Sequence, residues 1–350
     1  MREAICPESP MWLPAEHGGA LSAARLSYPQ APEPWLDLST GINPYSYPCG
    51  DVPAECLTKL PDASALLALE SAAAKAYAVP SPMQVVAGPG TQAIINWLPP
   101  LLIPRKVGIL GFTYCEFARS FAANGARVTI AAEPAALQGQ DVAIVVNPNN
   151  PDGRLVSVKD LLGLAEALDA HGGLLIVDEA FIDFEPGASV VPEILASGLL
   201  VLRSFGKTYG LPGLRLGFAI APARIAESLR NALGPWPVSG PAITIGTKAL
   251  ADSSWLASAR KRLEPDLAAI DKILAGAGFE FVGGTMLFRL VRHSNAQRLY
   301  ERLAQAGILS RRFAVQPDWL RFGIPSSQED RTRLRIALGL GPHNVKDDQA

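Results

Sequence analysis

Short apolar runs alternate with helical stretches through the middle of this chain. Val107–Leu110, Arg127–Ala131, Val142–Val146, Leu174–Val177 and Leu199–Leu202 are built mostly of branched and aliphatic side chains, the length and chemistry of strands covered on both faces. Between them, Cys115–Asn124 and Val158–Ala170 space apolar residues three and four apart, which predicts helices. Upstream, Leu66, Leu69, Ala73 and Tyr77 mark a helix over Ser64–Tyr77. Gln84–Ala87 reads as a strand entering the turn Gly88-Pro89-Gly90, with a helix starting at Thr91. The alternation predicts an α/β fold with a mostly parallel central sheet.

After the cluster GPWPVSGPA (234–242) the pattern changes. A long helical stretch, a strand at Met286–Val291, a helix at Ala296–Ala306 ended by Gly307 and a strand at Ile308–Phe313 predict a smaller α+β domain. Residues 1–60 are proline-rich without long periodic runs and read as an extended arm. The expected organisation is therefore arm 1–60, large domain 61–235, small C-terminal domain 236–340 and a frayed tail 341–350.

Composition narrows the chemistry. Lys plus Arg number 31 against 33 Asp plus Glu, a net charge of -2 over 350 residues, so no basic excess awaits a nucleic acid. Charged residues are 18% and apolar ones 49%, fewer charges than the usual quarter, which favours a homodimer burying extra surface. The four cysteines and four histidines lack metal-site spacings, so no metal is expected. No run of about 18 apolar residues offers a membrane span, and the expected location is the cytoplasm.

Two segments carry candidate chemistry. The turn AGPGTQA (87–93) follows a strand and opens a helix, as in an anion-binding or dinucleotide-binding loop. A nicotinamide protein would also place an acid after the next strand, yet Val107–Leu110 runs into Gly111-Phe112-Thr113. That rival loses ground. The second segment, SFGKTYGLPGLRLG (204–217), sets Lys207 among small and hydroxyl residues with Arg215 downstream. NPNNPDG (147–153) and LLIVDEAF (174–181) precede it.

These three segments, in this order, resemble the fold-type I pyridoxal phosphate enzymes, the class I and II aminotransferase superfamily, from about Asp37 to about Leu340. The resemblance implies pyridoxal 5'-phosphate as cofactor, with Lys207 bonding its aldehyde and Asp178 facing its pyridine nitrogen. It implies Asn150 at the phenolate oxygen, Tyr114 stacked on the ring, and Gly90, Thr91, Gln92, Ser204 and Arg215 around the phosphate.

Within that superfamily, HGG (17–19), LDLSTGINPYSYP (36–48), DEAFIDFEP (178–186) and VGGTMLFRL (282–290) look like the branch of threonine-phosphate decarboxylases of the cobalamin pathway, beside the histidinol-phosphate aminotransferases. The implied substrate is a small phosphorylated amino acid, L-threonine O-3-phosphate. Arg321 in WLRFGIP is then expected on the α-carboxylate and Arg311 on the phosphate, while Arg312 points away. His17 and Asn43 of the arm complete the expected substrate set. Aminotransferases of this type carry tyrosine three residues after the pyridine aspartate, where this chain has Phe181. A histidinol-phosphate-type aminotransferase is the alternative activity.

Overall fold

The computed structural model describes residues 17–80, 83–194 and 198–341. The chain divides into two compact units. Among the described residues, the first holds those within 46–150 and 154–256, the second 17–45, 151–153 and 257–341. The expected frayed tail falls almost wholly outside the described residues, as does the start of the arm.

The first unit is organised by seven strands: β1 (Gln84–Gly88), β2 (Lys106–Leu110), β3 (Arg127–Ala131), β4 (Val142–Val146), β5 (Leu174–Asp178), β6 (Leu199–Ser204) and β7 (Gly217–Ala221). They lie in the order β1-β7-β6-β5-β4-β2-β3. The run from β6 to β3 is parallel, and β7 is antiparallel to both its neighbours. The mostly parallel sheet predicted from the apolar runs is therefore present, with β7 as a strand that the glycine-rich loop concealed.

Every residue of β4, β5 and β7 is buried, because apolar layers cover both faces. Ala143, Val145, Leu175, Val177 and Val201 face one layer, where helices α1 (Ala63–Ala76), α4 (Val158–Asp169) and α7 (Gly240–Ala251) supply Leu69, Leu161, Leu168 and Ile243. Their neighbours Ile144, Ile176, Leu200 and Leu202 face the other layer. Helices α2 (Thr91–Leu102), α3 (Glu116–Ala123) and α6 (Ala223–Leu233) there supply Ile94, Leu98, Phe117, Phe121 and Leu229. The remaining labelled helix, α5 (Phe205–Thr208), is a single turn that follows β6.

The second unit carries a four-stranded antiparallel sheet in the order Arg311–Arg312, Trp319–Phe322, Phe288–Arg292, Glu280–Thr285. Leu36–Asp37 pairs in parallel with Ile308–Leu309. Three expectations are corrected here. The strand placed at Met286–Val291 begins at Phe288, because Met286-Leu287 is the turn of a hairpin whose first strand is Glu280–Thr285. The strand placed at Ile308–Phe313 is interrupted at Ser310 and feeds two different sheets. The arm is not wholly extended: Leu21–Ser27 and Glu55–Thr58 are helical, local turns too short for periodicity to reveal.

Among the described residues, no helix is long and apolar enough to cross a membrane. A Cβ at Gly217 would lie 2.5 Å from the Thr91 backbone nitrogen, so β7 and the start of α2 touch at a point where only glycine fits. Gly217→Ala is expected to destabilise the protein by about 1–3 kcal/mol through overpacking, read as a lower urea midpoint at unchanged slope.

Candidate active site

Adjacent strands end side by side at one edge of the large sheet. Asp178 is the cross-strand neighbour of Val146 on one side and Leu202 on the other, so the segments leaving β4, β5 and β6 begin next to one another. Because β7 runs the other way, Gly217 lies opposite both Ser204 and Gly88. Arg215 and the turn before α2 thereby reach the same edge. This is where open α/β sheets expose backbone and polar side chains to a ligand.

Asp178 ends a fully apolar strand and is itself only 4% exposed. Its carboxylate accepts the Ala180 N–H at 3.1 Å. Burial raises its pKa, against the opposing pull of the Lys207 charge and that amide. Lys207 is half-buried in α5, and its Nζ lies 4.2 Å from the centre of the Phe181 ring, within cation–π range. Thus Lys207, Asp178 and Phe181 are gathered in one place.

The turn before α2 is a cradle. Gly90 has φ +83, and a Cβ there would stand 2.7 Å from an Arg215 guanidinium nitrogen. Arg215, itself in the left-handed region at φ 53, is exposed and donates to the Pro212 carbonyl at 3.3 Å. The first turn of α2 carries no acid, so its unsatisfied N–H groups and the guanidinium present positive charge together. Gln92 in that turn accepts the Tyr114 hydroxyl at 2.8 Å and donates to Asn96 at 3.0 Å. Tyr114 is half-buried, edge-on to Phe117. Ser204 is half-buried at the N-cap of α5 and makes no side-chain cap.

The three asparagines of NPNNPDG divide their work. Asn147 exchanges hydrogen bonds with the Val156 backbone at 2.7 and 3.3 Å, and Asn149 donates to the Phe112 carbonyl at 3.0 Å. These two shape the loop, and Asn150 is half-buried beside them in sequence.

Sequence reasoning missed the buried ions under this edge. Arg203 is 5% exposed and donates to Glu179 at 3.1 Å and to Asp183, whose other oxygen accepts the Thr208 hydroxyl at 2.5 Å. Burial alone would lower the Arg203 pKa, but Asp183 and Glu179 outweigh it and raise it. An arginine closing the apolar run LLVLRS was the available signal, since a charge in a buried strand requires a partner.

In the second unit, Arg311 and Arg321 are direct cross-strand partners, so two like charges share one sheet face. Arg321 is 6% exposed, donates to the Ser39 carbonyl at 2.9 Å and lies over Phe288. Burial, then Arg311, bring its pKa down to about 9 against the counter-pull of Asp37. Arg311 is half-buried, whereas Arg312 is exposed and lies over Tyr300. His17 is exposed. The next residue, Gly18, is packed so closely on Ser39 that a Cβ would stand 2.3 Å from its carbonyl oxygen. Asn43 is 1% exposed and accepts the Tyr45 N–H at 2.9 Å.

Known proteins resemble this chain along most of its length. A threonine-phosphate decarboxylase of Sinorhizobium sp is 46% identical over 94% of this chain and 98% of its own. A threonine-phosphate decarboxylase of Pseudomonas aeruginosa is 37% identical over 92% and 97%. The crystal structure of histidinol-phosphate aminotransferase from Clostridium acetobutylicum superposes with a TM-score of 0.78 at 24% identity, covering 87% of this chain and 98% of that one. The model of the aminotransferase class I and II family matches residues 54–338. On that match and those near end-to-end identities, the chain belongs to the aminotransferase class I and II family.

Proposed function

We propose that this protein is a pyridoxal 5'-phosphate-dependent lyase that converts L-threonine O-3-phosphate to 1-amino-2-propanol O-2-phosphate with release of CO₂, in cobalamin biosynthesis. The observation that carries the reading is the 46% identity extending over 98% of a threonine-phosphate decarboxylase. We place the enzyme in the cytoplasm as a homodimer. The exposed Trp97, Ile103 and Trp236 support the assembly by leaving apolar surface to cover.

The side chains fit the cofactor. A cradle that a Cβ would fill, with a guanidinium over a helix N-terminus, suits a phosphate dianion, assigned here to Gly90, Thr91, Gln92, Ser204 and Arg215. Burial raises the pKa of the Asp178 carboxyl despite the Lys207 charge, and a protonated pyridine nitrogen would add a cation that favours its ionised form. Asp178 is assigned to that nitrogen, Asn150 to the phenolate oxygen and Tyr114 to the ring face. When bound, pyridoxal 5'-phosphate supplies an electron sink for the pair left on the substrate Cα.

The protein's own groups perform the remaining work. Asp178 holds the proton on the pyridine nitrogen. Arg321 grips the α-carboxylate and Arg311 the phosphate, two charge-assisted contacts that fix which bond at Cα breaks. His17 and Asn43 assist in holding the substrate. With substrate bound, the protonated Lys207 ammonium would be the acid that returns a proton to Cα. Phe181 gives that amine an apolar neighbour without a hydroxyl, so no group at this position competes for its proton.

Supplied with threonine phosphate and 2-oxoglutarate together, the enzyme is expected to release CO₂ without forming glutamate. Glutamate at a rate equal to CO₂ would make it an aminotransferase. Lys207→Ala is expected to abolish turnover while the fold persists, checked by CO₂ assay and circular dichroism.

Arg311→Ala is expected to raise KM for threonine phosphate far more than for unphosphorylated threonine, by about 10- to 100-fold for a lost charge-assisted contact. A comparable rise for both substrates would remove Arg311 from the phosphate.

Asp178 also gives a pH signature. Its folded-state pKa is raised, so the native carboxyl favours its neutral form, and stability from this group is lost as pH rises from the unfolded value through the folded one. In cofactor-free protein, Asp178→Asn is therefore expected to raise the melting temperature at neutral pH, with the gain shrinking towards pH 4. Melting curves across that range check it.

A further inference from the structure

The buried ions below the active-site edge have a regular relation to the residues above it. Glu179 follows Asp178, Arg203 precedes Ser204, and Thr208 follows Lys207. Each candidate cofactor residue on β5, β6 and α5 thus has its chain neighbour in one connected set. The Thr208 hydroxyl donates to Asp183 at 2.5 Å, Arg203 donates to both Asp183 and Glu179, and Glu179 also accepts the Ser189 hydroxyl and the Val190 N–H, each at 2.7 Å. Thr208 is fully buried and Glu179 is 1% exposed.

The helix that carries Lys207 needs such support. α5 has only four residues, far fewer than a helix requires to hold itself in water, so its position comes from tertiary contacts. On its far end Tyr209 stacks between Phe205 and Trp255, at 4.3 and 5.4 Å between ring centres. Tyr47 donates its N–H to the Tyr209 carbonyl at 2.9 Å, and the Ser46 hydroxyl donates to the Gly210 carbonyl at 2.8 Å. At the same end, the last residue of the helix, Thr208, is tied through Asp183 to Arg203 of β6.

We propose that Thr208, Asp183, Arg203 and Glu179 are positioning residues that set where the Lys207 amine stands relative to Asp178 and the Phe181 ring. The proposal rests on the reading of Lys207 as the cofactor lysine. A hydroxyl bonded to a carboxylate that an arginine already clamps is short and directional. It therefore fixes the rotation of a one-turn helix in a way that apolar packing around Phe205 does not. Because Nζ lies against an aromatic face and interacts electrostatically with the buried Asp178, small rotations of α5 change its proton affinity as well as its reach.

Thr208→Val keeps shape and removes the donor; Thr208→Ser keeps the donor. Each protein is loaded with pyridoxal 5'-phosphate, and the visible absorption band that depends on Lys207, expected to be absent from Lys207→Ala, is followed against pH, together with kcat for CO₂ release and the melting temperature. Thr208→Val is expected to move the pH midpoint of the band by about one unit, a tenfold change in proton affinity. Its kcat is expected to fall roughly 10- to 100-fold. Thr208→Ser is expected to restore both. Asp183→Asn should shift the midpoint in the same direction; if that variant does not fold, the Thr208 pair decides alone. An unmoved midpoint and unchanged kcat in Thr208→Val, whatever its melting temperature, would overturn the positioning role while leaving the cofactor reading intact. Absence of the band from the unaltered protein overturns both.

Discussion

A sheet that is dry on both faces can show polar groups to a ligand only at its ends. β4, β5 and β7 offer no exposed residue, so chemistry has to gather where they stop. Asp178 is the first ionisable side chain that β5 reaches. Its burial makes an uncompensated negative charge unfavourable, and the nearby Lys207 relieves that only in part. The local architecture answers this: a lysine on a one-turn helix, a guanidinium over a tight glycine turn and, beyond Asp178 in the chain, Glu179 and Asp183 clamped by Arg203.

The same logic recurs in the second unit with the sign reversed. Arg311 and Arg321 face each other across two strands, an arrangement that costs stability unless negative charge lies nearby. Asp37 and the Ser39 carbonyl supply some of it. A sheet that places two guanidiniums in register suits an anionic visitor, in keeping with the proposed substrate, which carries both a carboxylate and a phosphate.

Much of this was legible before any coordinates. The parallel strands were readable because strands covered on both faces announce themselves as unbroken apolar runs, whereas Lys207, Asp178 and Arg215 were singled out by the resemblance of their motifs to a known family. What stayed hidden was long-range. Nothing local says that Arg203 meets Asp183, twenty residues earlier, although a charge at the end of LLVLRS asks for a partner. β7 was masked by the glycines that lead into it. Met286 and Leu287 look like strand residues because they are apolar, yet they turn a hairpin, since tertiary packing rather than propensity decides so short a segment.

The division of the chain bears on how the protein is made. The described part of the second unit is assembled from residues 17–45, the short loop 151–153 and residues 257–341, with Leu36–Asp37 beginning a parallel pair that Ile308–Leu309 completes. On a ribosome the first unit can close as soon as β7 and its covering helices emerge. The arm must then wait, its strand partnerless, until the last quarter of the polypeptide is synthesised. Non-local pairings of this kind slow folding and leave apolar surface open for longer. The cell therefore sees this protein for part of its synthesis as a finished sheet trailing an unfinished one.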